Sequence, residues 1–344
     1  MVGNGTADRN PLWREALLSV RVTQASRQAR RLGTALRWRA KSLSYVDLAP
    51  DYRATVLLLG SARSGTTWVG EVIDRHHDHR VVFEPLRADR VPLARPFANG
   101  QYLHRDDTDP RYLEPMTRIL TGRLRNPWAD HLNHVLVARR RLVKEIRANL
   151  LVPWLVEQFP GMPLVLLVRH PLGVAVSRRE LGWSDHLDDE LAQPALVADH
   201  LSAGQAGLLR GLTEPFARAV AQAGLETLVP LRMSRPDQVL AVTYERLVRE
   251  PRAEAERVLR HVGQQPDDAL DAALDRPSHL SRADSAVRTG ADRVAAWTTR
   301  VDDRERSAAA EVIEALGLAA LYSVDDPYPD LAAFAALHAA PYPG

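Results

Sequence analysis

Four short apolar runs recur along the chain, each bounded by polar or turn-forming residues. Thr55-Val56-Leu57-Leu58-Leu59 is the first. Arg141-Leu142-Val143-Lys144-Glu145-Ile146, Pro163-Leu164-Val165-Leu166-Leu167-Val168 and Gln238-Val239-Leu240-Ala241-Val242-Thr243-Tyr244 follow. Near-continuous apolar runs of this length predict strands buried on both faces. Between them the spacing becomes helical. A helix is expected from Trp68-Val69-Gly70-Glu71-Val72-Ile73 and another after Pro171, because proline suits a first helical turn. Residues 195–224 keep helical spacing with Pro215 as their one interior proline, and a further helix is expected from about Pro251 to Val262. Strands alternating with helices predict an α/β fold, a doubly wound sheet with mostly parallel strands and flanking helices.

The ends read differently. Residues 11–44 predict a basic amphipathic helix or two in series, with Arg14, Arg21, Arg27, Arg30, Arg31, Arg37, Arg39 and Lys41 against Glu15 alone. Packing on the body of the protein and contact with an anionic membrane or an acidic partner are the two readings of that face. The expected organisation is a basic N-terminal extension over 1–50, an α/β domain over 51–325 and a surface-draped tail over 326–344. Composition narrows the partners. Lys plus Arg total 45 against 43 acids, so general nucleic-acid binding is not expected. There is no cysteine, which excludes disulfides, thiolate catalysis and cysteine-ligated zinc. No run of about 18 apolar residues and no signal-peptide pattern occurs, so the expected location is cytoplasmic, with residues 11–44 as the candidate membrane contact.

The chemistry begins where the first run ends. Gly60-Ser61-Ala62-Arg63-Ser64-Gly65-Thr66-Thr67-Trp68 is a glycine-bounded turn between strand and helix, with the G-x-x-x-x-G spacing of a phosphate-binding loop. The first amides of a helix have no partner within it and favour an anion. Thr66 stands where a nucleotide triphosphatase carries lysine. The strand ending at Val168 runs into Arg169, where a magnesium-dependent enzyme of this type usually places an aspartate. A guanidinium there can grip a phosphate in a bidentate way. Ser177, about two turns into the next helix, completes a candidate second anion site. Two such sites without an evident metal acid suit a nucleotide phosphorylated at both ends of its ribose, with no metal expected.

On these residues the chain resembles the sulfotransferases that use 3′-phosphoadenosine 5′-phosphosulfate. Arg63-Ser64-Gly65-Thr66-Thr67-Trp68 is similar to their 5′-phosphosulfate loop, and Arg169-His170-Pro171 with Ser177-Arg178 to their 3′-phosphate motif. Many relatives have aspartate where His170 stands. Tyr244-Glu245-Arg246-Leu247-Val248 with Pro251, and Arg288-Thr289-Gly290 with Arg293 and Trp297, resemble two later stretches, the second a loop that closes over the nucleotide. The resemblance implies nucleotide contacts from Arg63, Ser64, Gly65, Thr66, Thr67, Trp68, Arg169, Ser177, Tyr244, Arg288 and Gly290. Arginine rather than lysine at position 63, and Phe83-Glu84-Pro85, make the carbohydrate branch the nearer one. It implies Arg63 at the leaving oxygens, Glu84 as general base with its pKa raised by partial desolvation, and Lys144 assisting the sulfonate. Glu145 is the reserve base. The acceptor is then a hydroxyl on a carbohydrate, glycolipid or glycosylated small molecule. A P-loop kinase with a degenerate cradle, and an inactive nucleotide- or glycan-binding protein of the same fold, are the competing readings. His76, His77 and His79 look like a metal cluster but lack a recognised pattern, and nothing distinguishes His104, His131 or His134.

Overall fold

The computed structural model describes residues 45–276 and 292–340. Its strands are β1 (Val46–Asp47), β2 (Thr55–Gly60), β3 (His79–Phe83), β4 (Val137–Ala138), β5 (Arg140–Glu145), β6 (Leu164–Val168) and β7 (Leu240–Thr243). Five of them form one sheet in the order β3-β5-β2-β6-β7, with every pairing parallel. β1 and β4 make a separate parallel ribbon.

The apolar runs are strands for the reason expected, because both faces of the sheet are covered. Leu57, Leu59, Val82, Val143, Leu166 and Val168 enter a large core with helices Pro110–Leu120, Val152–Gln158, Pro171–Glu180 and Pro215–Met233. Val56, Leu58, Val165, Leu167 and Val242 pack on the other side against Val69 and Ile73 of helix Thr66–Ile73 and Val258 of helix Pro251–His261. Each such side chain contributes roughly 1.5–3 kcal/mol by leaving water. Part of the arginine content also works inside. The Arg80 fork donates to the carbonyl of Gly122 at 2.6 Å and to Asp130 at 2.9 Å. Arg141 donates to the Asp47 carboxylate at 2.5 Å and the Asp51 carbonyl at 2.6 Å. Five fixed donors let one arginine satisfy several loop carbonyls at once.

Two expectations change. Residues 195–224 are not one helix but parts of three, Pro194–His200, Ala203–Gly211 and Pro215–Met233. Ser202 and Gln205 close a capping box, and Glu214 caps the helix that Pro215 opens. The tail is not merely draped. Asp330 caps helix Leu331–Ala339, and Phe334 joins the large core. The basic stretch 11–44 lies outside the described residues. Among those described, no helix is long and apolar enough to cross a membrane.

Candidate active site

Because all five strands run the same way, their C-terminal ends share one edge, and the chemistry-bearing residues follow directly. The loop from Ser61 follows β2, Glu84 follows β3, Arg147 and Asn149 follow β5, Arg169 follows β6 and Tyr244 follows β7. This is the edge at which open α/β sheets take their ligands.

The glycines of the loop are required by space. A Cβ on Gly60 would lie 2.4 Å from the carbonyl oxygen of Leu167. Gly65 has φ 93° and backs onto the ring of Tyr244, 3.0 Å from where its Cβ would sit. Helix Thr66–Ile73 starts there, with its first amides turned to the loop. The Ser64 hydroxyl donates to the carbonyl of Ser61 at 2.7 Å and so shapes the turn from inside. Thr66 is buried with its methyl against Gly60.

The two candidate anion sites meet. Arg63 Nε donates to Ser177 Oγ at 3.1 Å, and Arg169 Nη1 donates to the Arg63 carbonyl at 2.9 Å. The Arg169 guanidinium also lies 4.4 Å from the Tyr244 ring centre. Four predicted residues, far apart in sequence, are thereby in one contact group. Arg63 sits at φ 79° and Glu84 at φ 43°, a left-handed backbone that non-glycine residues seldom adopt.

His170 explains its own departure from the resembled motif. Its Nδ1 accepts the amide of Leu172 at 3.2 Å, which caps helix Pro171–Glu180 as an aspartate would. Its Nε2 faces the Ser323 carbonyl at 2.9 Å, so the proton belongs on Nε2. Burial, against that hydrogen bond, pushes the imidazole down to about 3 and keeps it neutral. Trp297 stacks on it with ring centres 4.6 Å apart, anchoring its own loop. Behind it, Glu245 accepts the His170 amide at 2.9 Å, and burial raises its carboxyl to about 7. Trp68 packs against the core on its helix's side of the sheet and against a second cluster of Val72, Ala255 and Leu259, and it borders a cavity of about 450 Å³ that Val248, Leu274 and Arg293 also line. Arg288 and Gly290 lie outside the described residues.

Around Glu84 opposite charges are already joined. Lys144 Nζ donates to Glu84 Oε1 at 2.7 Å and Arg147 Nη1 to Oε2 at 3.1 Å, while the Lys144 ammonium lies 4.7 Å from the Phe83 ring centre. This corrects one expectation. Burial by itself would raise the Glu84 carboxyl, but Lys144 and Arg147 together outweigh it and hold the carboxyl below its ordinary value. The raised carboxyl is Glu145, pushed up by complete burial although Arg147 opposes it. Glu145 accepts the amides of Leu86 and Ile146 at 2.7 and 2.8 Å, which ties the two strand ends together.

Sequence reasoning missed the supports behind the loop. Asn149 donates to Ser61 Oγ at 3.3 Å and to the Glu226 carbonyl at 3.1 Å, and Arg178 pairs with the Glu226 carboxylate at 2.7 Å. Only the serine–arginine pair at 177–178 hinted at them. His131 packs on Phe83 at 4.9 Å between ring centres, beside Glu84. Asp74, Asp78 and His79 bring three ligand-type atoms within 4.8 Å of one another. Gln264, however, accepts from Arg75 at 2.6 Å and turns its amide nitrogen to His79 Nε2 at 3.3 Å. His79 Nδ1 therefore carries the proton and donates toward Asp78 and Asp74, and hydrogen bonding accounts for the group.

A family profile described as "Sulfotransferase family" matches residues 55–268, more than half of the chain. Nodulation protein NoeE of Sinorhizobium fredii (strain NBRC 101917 / NGR234) is 28% identical over 235 residues, 65% of this chain and 53% of that protein. The chain thus spans about half the length of the curated relative it matches. Among solved structures, the sulfotransferase domain from the Synechococcus PCC 7002 olefin synthase is 15% identical, with 76% of this chain and 94% of that one covered and a TM-score of 0.41. Mouse sulfotransferase SULT7A1 complexed with PAP is also 15% identical, with 80% and 88% covered and a TM-score of 0.41.

Proposed function

From the premise that the chain belongs to the sulfotransferase family, we propose that it moves a sulfuryl group from 3′-phosphoadenosine 5′-phosphosulfate to a hydroxyl of a sugar-containing acceptor. The observation that carries this reading is the contact of Arg63 with both Ser177 and Arg169, which makes one cationic surface from two anion sites. The residues suit the donor. Gly60 and Gly65 leave a cradle that a Cβ would fill, and β6 ends in a cation instead of a metal-binding acid. The donor, when bound, supplies the sulfuryl group.

In this reading the loop amides and Arg63 hold the 5′ end, and Arg169 with Ser177 holds the 3′-phosphate. Trp68 and Arg293 border the space for the base. Glu84 takes the acceptor's hydroxyl proton on a carboxylate oxygen as the new oxygen–sulfur bond forms. The old sulfur–oxygen bond breaks toward the 5′-phosphate, and Arg63 meets the charge that builds there. A carboxylate with a lowered pKa is a modest base, but it is fully ionised at neutral pH. The hydroxyl becomes acidic only as its bond to sulfur forms, so a modest base suffices. Lys144 and Arg147 keep Glu84 ionised and aimed. Arginine at 63 and the Phe83-Glu84-Pro85 turn favour a sugar hydroxyl over a phenol.

Calorimetry tests the reading. Adenosine 3′,5′-bisphosphate should bind without added metal, and Arg169→Ala should lower its affinity about 10- to 100-fold, the range of one or two charge-assisted hydrogen bonds. Tight binding of ATP with magnesium, and none of the bisphosphate, would overturn it in favour of a kinase-like enzyme. Nucleotide binding without sulfuryl transfer to any of a panel of sugar hydroxyls would favour the idle binding protein.

A further inference from the structure

The ribbon of β1 and β4 is separate from the catalytic sheet, and its outward face is apolar. Val46 and Val137 are register partners and are 48% and 55% exposed, with Leu48 at 49% and Leu136 at 56% beside them. These are four of the seven large apolar side chains exposed among the described residues. The inward partners are Asp47 and Ala138, and Asp47 is neutralised by Arg141. The ribbon's own acid therefore faces away from the patch. Basic residues surround it. Arg139 and Arg140 follow β4 directly and are exposed, and so is Arg123, next to the Gly122 that backs onto Asp47. On the N-terminal side, residues 16–46 contain Arg21, Arg27, Arg30, Arg31, Arg37, Arg39 and Lys41 and no acid.

We propose that this ribbon is a docking face for an anionic membrane surface. Val46, Leu48 and Val137, which share the outward side of the pleat, enter the boundary between headgroups and acyl chains, and the flanking Arg123, Arg139 and Arg140 meet lipid phosphates and carboxylates. Charge decides between occupants. A second copy seated on the same face would bring two arginine clusters together, whereas an anionic leaflet supplies the missing sign. The ribbon is held by only two residue pairs but is tied to the body through Asp47 and Arg141, so it presents its side chains on a fixed base.

Co-sedimentation of the full chain with vesicles tests this without donor or acceptor, so the result is independent of sulfuryl transfer. Vesicles of phosphatidylcholine with phosphatidylserine should retain the protein at low salt, and phosphatidylcholine alone should not. The double variant Leu48→Ser/Val137→Ser, with an unchanged melting temperature, should lower retention at least about tenfold. Leu48→Ser serves if the double variant does not fold, with a smaller loss in the same direction. Absence of retention on the phosphatidylserine-containing vesicles overturns the proposal. Equal retention of wild type and variants also overturns it, since the basic stretch would then act alone. A concentration-dependent dimer that the same substitutions abolish would assign the face to a second copy instead.

Discussion

Around the glycine loop, Arg63 and Arg169 meet a hydroxyl, a backbone carbonyl and an aromatic face. Around Glu84, a few residues along the same sheet edge, charge meets charge: Lys144 and Arg147 already hold both carboxylate oxygens. In the proposed reading the first region receives an anion from outside. The second has its acid paired with two cations before any ligand arrives. In the same reading the difference shows how one edge serves two ends of a transfer: two arginines stand where the donor's charge is to land, and an acid is kept ionised by cations where a proton is to be taken.

The contrast is broken most directly at Glu84. Glu84→Gln keeps the shape and removes the base, so kcat should fall about 10²- to 10⁴-fold while bisphosphate affinity stays within about twofold. An unchanged kcat would remove Glu84 from the chemistry. The sign of its pKa shift adds a second reading of the same rate. The carboxyl lies below its ordinary value of 4.5, so the acid limb of the wild-type pH profile should lie below that value. A loss of rate between pH 5 and 7 that belongs to Glu84 would contradict the pairing with Lys144 and Arg147.

On the donor side a smaller change sharpens the comparison. Ser177→Ala removes the hydroxyl that Arg63 meets and should weaken bisphosphate binding about 3- to 10-fold, with stability nearly unaffected. A loss of folding instead would mean that the loop and the helix Pro171–Glu180 are joined as structure and not as a receptor. The smallest expected effect is at Glu245, behind the donor side. Its folded carboxyl titrates near 7 against an ordinary 4.5, so the folded protein binds more protons between those values. The contribution is fully present below pH 4.5 and is lost as the pH rises through 7. In denaturant melts, Glu245→Gln should therefore gain on wild type as the pH is raised from 5 to 8. A constant difference would place the Glu245 carboxyl at an ordinary value.

The meeting of Arg63, Arg169 and Ser177 was legible because its information is local. Gly60, Gly65 and Arg63 lie within one turn, Arg169 and Ser177 within one strand–helix junction, and the type of fold sets one beside the other. The helix boundaries at Ser202 and Pro215 were missed although the capping box and the proline stand in the sequence, because continuous helical spacing masked them. The Glu84 cluster was not legible. Lys144 and Glu84 are brought together by the parallel pairing of β3 and β5, and no spacing along the chain announces that Arg147 takes the second oxygen. The direction of the Glu84 shift depended on that count of cations, which only the fold supplies. Asn149 and Glu226 were invisible for the same reason, as both act through contacts made across helices.

Arg63 and Glu84, the two residues assigned to the ends of the transfer, both hold a left-handed backbone for which glycine is the easier occupant. That conformation costs a side-chain-bearing residue about 1–2 kcal/mol. Selection for a robust fold alone therefore pulls position 63 toward glycine, and pulls position 84 the same way once its two cations are gone. In the proposed reading what keeps an arginine and a glutamate there is use, so a lineage that no longer needed the reaction would be free to lose these two side chains early while the sheet beneath them stayed intact.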